Sequence, residues 1–340
     1  FSAMGIAMAA SQIPAGYLSD RFGSRNIMFG SWFIGTIAAW FMALADSMPM
    51  FVAGIVMYGL TGFVVAPMNS YITSVRGKWS VGRALTFTSG LYNLGAVLGP
   101  VTGGLIADKL GLQAVYRLAG VIFLISTVIV LFAGKNTEVH HEDANSNNKL
   151  GLIKNYRFLA FLGLAFVTFF ALYLPQPLTP NFLQNEQGFS RTTIGVLGAL
   201  GSLGNAVAML TLGHLPAVAS FLIGQAWVLV FSALFLTGTT PVWFGLGYFF
   251  IGGYRLCRSM VIAIARPLIN PRQTGLAYGM IETASSIAII IAPVLAGLLY
   301  KKQPSSVYST SILLISLVIV LNVVIFSIIR KRKNNHATED

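Results

Sequence analysis

The chain has 340 residues, of which 55% are hydrophobic and 9% charged, with a formal net charge of +12. A soluble domain carries about 25% charged residues, so this composition excludes a water-exposed globular enzyme or binding module. The only cysteine, Cys257, leaves no intrachain disulfide, and the four histidines have no ligand spacing, which excludes a metal centre.

In chain order, eleven apolar runs are long enough to cross a membrane: 1–18, 26–45, 50–73, 84–107, 113–133, 158–180, 192–212, 217–238, 242–265, 275–299 and 308–329. A hydrocarbon core of about 30 Å needs about 20 helical residues, which these runs supply. The pattern predicts an all-α membrane protein. Its expected organisation is a first bundle of five spans over 1–134, a polar linker over 135–157, a bundle of six spans over 158–330 and a tail over 331–340. The linker contains His140, His141, Glu142 and Asp143, too polar a setting to hold a ligand set in place.

When loops are assigned alternately to the two sides, 15 of the 22 basic residues fall on one side. They include Arg21, Arg25, Arg76, Lys78, Arg83, Lys149, Arg272 and the run Arg330-Lys331-Arg332-Lys333. The positive-inside rule makes that side, and the C-terminus, cytoplasmic. This placement argues for membrane orientation and against nucleic-acid binding, and compact loops suggest a bacterial-type inner membrane.

A shift of 193 positions superposes Gly59 on Gly252, Gly82 on Gly275, Ala84 on Ala277, Pro100 on Pro293 and Gly104 on Gly297. The matches join the third and fourth runs of the first half to the fourth and fifth of the second, so an internal repeat predicts one further span ahead of Phe1. Two six-span halves repeated in the same orientation form a transporter architecture.

The loop after the first run reads Gly16-Tyr17-Leu18-Ser19-Asp20-Arg21-Phe22-Gly23-Ser24-Arg25. It resembles the loop motif of the major facilitator superfamily, G-x-L-x-D-R-x-G-R-[KR], departing at Ser24. Physically, Asp20 can cap or face the positive end of a neighbouring helix, while Arg21 and Arg25 hold the turn in the cytoplasm. Gly16 permits close helix approach and Gly23 a tight turn. A second resemblance is Gly95-x3-Gly99-Pro100-x2-Gly103-Gly104, which is similar to the family's G-x3-G-P-x2-G-G pattern, associated with antiporters. Pro100 would kink the helix, and Gly95, Gly99 and Gly103 would offer another helix a close approach. Two departures from the family's patterns stand out, of which the loss of the arginine weighs against a drug–proton exporter. Ile55 and Tyr58 stand where the family's R-x-x-Q-G has arginine and glutamine, and the second-half loop, Gly213-His214-Leu215-Pro216-Ala217, lacks the acid.

The resemblance implies two six-helix bundles around a central cavity, with the first helix missing here. It places cavity-lining helices at 50–73, 158–180 and 242–265, where the polar candidates for solute contact are Asn69, Tyr173, Gln176, Tyr254, Arg255 and Arg258. An ionisable group at bilayer depth costs roughly 2.5–3.5 kcal/mol, so the buried charges are functional candidates. Arg255 suits an anionic group, which arginine binds bidentately. Glu282, the one acid placed within a span, suits a proton carrier, its depth matching that of Arg258; a static Arg258–Glu282 ion pair is the alternative.

The expected function is secondary active transport of a small organic solute, anionic and proton-coupled, by alternating access. A drug or metabolite efflux antiporter is the alternative, and an intramembrane enzyme or non-transporting receptor the reading from another class. No cofactor is expected. The expected partners are the lipid bilayer, the solute and protons, with the chain monomeric. Gly16, Asp20, Arg21, Gly23 and Arg25, together with Gly99, Pro100, Gly103 and Gly104, are the expected elements of the conformational switch.

Overall fold

In the computed structural model, which describes residues 2–134, 152 and 154–336, every regular element among the described residues is helical. The first half holds α1 (Ser2–Phe22), α2 (Ser24–Ala43), α3 (Met48–Leu60), a 3-10 turn at Thr61–Val64, α4 (Val65–Val75), α5 (Val81–Leu110) and α6 (Leu112–Leu131). The second holds α7 (Tyr156–Tyr173), the short α8 (Thr179–Asn185), α9 (Arg191–Leu212), α10 (Ala217–Thr237), α11 (Pro241–Phe250), α12 (Gly252–Ala265), α13 (Thr274–Lys302) and α14 (Ser306–His336). The predicted linker over 135–157 lies outside the described residues except for Leu152 and 154–157, as do residues 337–340 of the predicted tail.

Local chemistry sets several of the boundaries. Proline occupies the first turn of α3, α8 and α11, where its missing N–H removes no helical hydrogen bond. Ser190 caps α9, its side chain accepting from the Thr193 N–H at 3.1 Å. Gly23 turns the chain between α1 and α2 at φ 84°, a conformation that side chains other than glycine rarely adopt.

Nine helical stretches among the described residues are long and apolar enough to cross a membrane, and they fall on nine of the eleven predicted runs. The other two runs, 1–18 and 84–107, are helical within α1 and α5 but are not among those nine. The repeat is explicit in the helix starts. Adding 193 to 24, 48 and 81, where α2, α3 and α5 begin, gives 217, 241 and 274, where α10, α11 and α13 begin.

Two spans that read as continuous in sequence are interrupted. Met48–Val75 breaks at the 3-10 turn and Pro241–Leu268 breaks at Ile251, and these spans match end to end at the same offset. Gly59 precedes the first break and Gly62 lies within it, and Gly252 and Gly253 follow the second; glycine disfavours a helix by about 1 kcal/mol relative to alanine. Backbone freed at such a break needs a partner inside a membrane. Gln12 supplies one, its Nε2 donating to Gly62 O at 3.0 Å.

The chain packs as two compact units. Unit 1 comprises Phe1–Trp79, Val97–Leu159 and Arg266–Ser286; unit 2 comprises Ser80–Ala96, Ala160–Ala265 and Ile287–Asp340. Each of the long helices α5 and α13 therefore contributes to both. Small residues contribute much of the interior of unit 1, where Ala15, Ala38, Ala39 and Ala43 are buried alongside the larger Phe158 and Tyr278, and Trp32 Nε1 donates to Ser126 Oγ at 3.0 Å. Small side chains let helices approach closely, which is how membrane bundles gain dispersion contacts. Unit 2 has an aromatic interior. Phe235 packs against Phe231, Phe244 and Tyr308 at ring-centroid distances of 4.7, 5.0 and 5.4 Å.

Candidate functional site

The cavity of unit 2 is the feature that best fits a solute, with a volume of about 380 Å³. It is lined from α7 and the residues after it by Tyr173 and Gln176, from α9 by Ser202 and Asn205, and from the broken span by Tyr248, Ile251, Tyr254, Arg255 and Arg258. Arg255 and Arg258 are three residues apart and so share a face of α12. Around Arg255 the helix is otherwise enclosed: Tyr254 is 6% exposed, and Leu256 and Cys257 are fully buried. The Tyr173 and Tyr254 rings lie 5.5 Å apart, forming an aromatic wall beside the guanidinium groups. Gln176 Nε2 donates to Leu172 O at 2.7 Å, which fixes the amide against α7. No carboxylate is among the lining residues, so the cavity suits a ligand that brings negative charge.

Backbone packing holds this wall in place. At Gly252 an added Cβ would lie 2.5 Å from Gly204 O, and at Gly224 it would lie 2.7 Å from Cys257 Sγ. Glycine at these positions lets α9 and α10 approach α12 backbone to backbone, and Cys257 Sγ donates to Phe221 O at 3.2 Å across the second contact.

Unit 1 contains the loop motif. Asp20 Oδ1 accepts from the Gly275 N–H and Oδ2 from the Leu276 N–H, both at 2.7 Å. Its carboxylate therefore sits on the first turn of α13, where unpaired N–H groups and the helix dipole favour an anion. Gly16 and Gly275 make the approach possible, since a Cβ at Gly275 would fall 2.5 Å from Gly16 O. Arg25 Nε donates to Ala133 O at 2.9 Å, tying the start of α2 to the end of α6. Arg21 is exposed and lies over the Phe22 ring at 5.3 Å.

Glu282 is 2% exposed in unit 1 and accepts from Asn69 Nδ2 at 3.3 Å. The contact continues along α4, where Thr73 Oγ1 donates to Asn69 O at 2.7 Å and accepts from Tyr278 Oη at 3.3 Å. Five of the six predicted solute residues thus surround one cavity, whereas Asn69 lies in the other unit beside Glu282.

The glycine pattern of α5 is arranged differently from its sequence reading. A Cβ at Gly95 or Gly99 would meet nothing within 4 Å among the described residues, and at Gly103 it would make an ordinary 3.6 Å contact with Val115. Close helix approaches occur instead at Gly16, Gly204, Gly252 and Gly275. Pro100 and Gly104 lie within α5, but their surroundings are outside the described residues. The sequence reading missed Ser202, Asn205 and Tyr248. The available signal was the three-residue spacing of Ser202 and Asn205 on a helix whose glycines, Gly198, Gly201 and Gly204, recur at the same interval.

A repeated, all-helical bundle with interrupted spans and a partly open cavity lined by polar side chains has the features of a membrane transporter. The family model described as Major Facilitator Superfamily matches residues 1–252 and, in an overlapping second match, 161–340, and the chain belongs to that family. It is accordingly a membrane-embedded secondary transporter of small-molecule solutes and not an enzyme. It is 23% identical over 325 residues to Multidrug resistance protein 2 of Bacillus subtilis (strain 168), covering 88% of this chain and 80% of that protein. It is 24% identical over 363 aligned positions to the Probable galactarate/D-glucarate transporter GarP of Escherichia coli (strain K12), covering 90% and 80%. The crystal structure of the human organic anion transporter MFSD10 (TETRAN) superposes with a TM-score of 0.78 at 16% identity, covering 94% of this chain and 82% of that one, a likeness of fold.

Proposed function

We propose that this transporter carries a small organic anion by alternating access, with Arg255 binding the anionic group and Glu282 carrying a coupling proton. The observation that carries the reading is the cavity lined by Arg255 and Arg258 without a carboxylate. A cation in a low-dielectric site binds a carboxylate through short, charge-assisted hydrogen bonds, and arginine does so with two donors at once. Tyr173, Gln176 and Tyr254 complete a rim suited to hydroxyl groups. The likeness to a transporter named for galactarate and D-glucarate supports the same chemistry. Glu282 is 2% exposed and accepts a hydrogen bond from Asn69, and an acid within a span is the kind of residue that proton relays use. In this reading α1 and α5 also cross the bilayer, giving eleven spans, the C-terminus faces the cytoplasm, and one chain in the plasma membrane is the working unit.

The test is accumulation of galactarate or glucarate by vesicles containing the purified protein, with and without an imposed proton gradient. Anion accumulation that requires the gradient is expected. Glu282→Gln should abolish gradient-driven accumulation yet keep counterflow exchange. Normal accumulation in that variant would remove the coupling role. A second reading, efflux of a drug in exchange for protons, is favoured by the likeness to Multidrug resistance protein 2. Proton-driven movement of a cationic drug, with no response to either diacid, would establish it in place of the first.

A further inference from the structure

The loop motif has lost its acid in the second half of the chain, yet the corresponding place in unit 2 carries a charge on the other partner. The offset of 193 that relates the repeats lays Asp20 on Gly213 and Leu276 on Arg83. In unit 1 the loop residue Asp20 reaches the first turn of α13. In unit 2 the direction is reversed: Arg83, in the first turn of α5, donates from Nη1 to Leu210 O at 2.6 Å. Leu210 is two residues before the end of α9, where carbonyls lack helical N–H partners and the dipole leaves about half a negative charge. The two contacts thus use opposite charges on opposite helix ends.

The surrounding packing fits this exchange. A Cβ at Gly213 would lie 2.6 Å from Thr86 Cβ, so the position that corresponds to Asp20 has no room for a carboxylate. A Cβ at Gly90 would lie 2.8 Å from Leu210 Cδ2, a second contact between α5 and α9. With α1 and α5 counted as crossings, as in the reading above, alternate crossings put the end of α1, the start of α5, the end of α9 and the start of α13 on one side of the membrane.

We infer that Arg83 is the second of two charge-to-helix-end clasps, holding α5 to α9 as Asp20 holds α1 to α13, and that both release in the same step of transport. The inference rests on the alternating-access reading, in which helices of the two repeats separate on one side during each cycle. Arg83 is a positioning residue, acting on the helices and not on the solute. Its charge compensates for the acid lost after α9.

Thr86 gives a direct readout, because it is fully buried between α5 and Gly213. A Thr86→Cys reporter in the full chain, reconstituted in vesicles, would be labelled by a membrane-impermeant maleimide only when the clasp opens. The native Cys257 is fully buried and serves as the background in the protein without the reporter. Arg83→Ala should raise the labelling rate about tenfold, the effect of losing one hydrogen bond from a charged group. Arg83→Lys should recover most of the difference, since it keeps the charge and a donor. If Arg83→Ala does not accumulate in the membrane, Arg83→Met, which keeps the bulk of the stem, replaces it. Asp20→Asn should raise labelling at the same reporter. An unchanged rate in the neutral variant, or no recovery in the lysine variant, overturns the clasp. A rise with Arg83→Ala but none with Asp20→Asn overturns the pairing of the two clasps. That result leaves the alternating-access reading standing, because solute accumulation tests it separately.

Discussion

The spans Met48–Val75 and Pro241–Leu268 are equivalent in the repeat and alike in length and interruption, yet over an apolar 18-residue stretch of each, 6% of the first is buried within the protein against 61% of the second. The difference follows from what each must shelter. The first exposes Val52, Ile55, Val56 and Tyr58, groups that acyl chains solvate at little cost. The second carries Arg255 and Arg258, and charges at membrane depth persist only where protein or a polar cavity surrounds them. One duplicated span exposes apolar side chains along its first half, and its mate lines a cavity with two arginines.

The largest test of that divergence is Gly252→Val beside its repeat mate, Gly59→Val. A side chain at Gly252 collides with the Gly204 backbone, whereas one at Gly59 meets nothing within 4 Å. Gly252→Val should lose 3 kcal/mol or about that much, enough to remove most folded protein from a size-exclusion profile. Gly59→Val should stay within about 0.5 kcal/mol of the parent in the same measurement. Equal losses would show that the two spans are packed alike after all.

Next in size, Arg255→Ala should weaken binding of a transported diacid by about 10- to 100-fold, as measured by isothermal titration of the purified protein. Unchanged affinity would move the site away from the second span. Asp20→Asn should lower the initial rate of transport by about fivefold, corresponding to roughly 1 kcal/mol of charge–dipole interaction, while its membrane abundance stays near that of the parent. Parallel losses of rate and abundance would reduce the contact with α13 to a folding element. The smallest effect belongs to Ser190→Ala at the start of α9, where losing the cap should cost about 1 kcal/mol and lower the melting temperature by a few degrees. A larger shift would mean that α9 depends on its cap more than on its packing against α11 and α12.

Span layout and the repeat were legible in sequence because both depend on composition over long windows, which the bilayer constrains strongly. Asp20 was legible because its spacing to Gly16 and Gly23 has a geometric meaning. The cavity was legible only in part. Arginines inside an apolar run announce themselves, but Ser202 and Asn205 are small polar residues on a glycine-rich helix, and such residues also serve simple helix packing. The breaks at Thr61–Val64 and Ile251 escaped notice because hydropathy does not register backbone hydrogen bonding. The Gly95–Gly103 pattern showed the limit in the other direction: spacing can offer a close approach, but only a neighbour can take it up.

The contact of Gly252 with Gly204, and of Gly253 with Gly224, involves main chain and not interlocking side chains. A scaffold assembled this way is indifferent to the identity of the residues that look into the cavity. Tyr173 and Ser202, which line the cavity, lie outside these main-chain contacts. Selection can therefore retune the cargo while the chassis is inherited unchanged, which gives a physical basis for one fold serving relatives named for drugs and for sugar diacids.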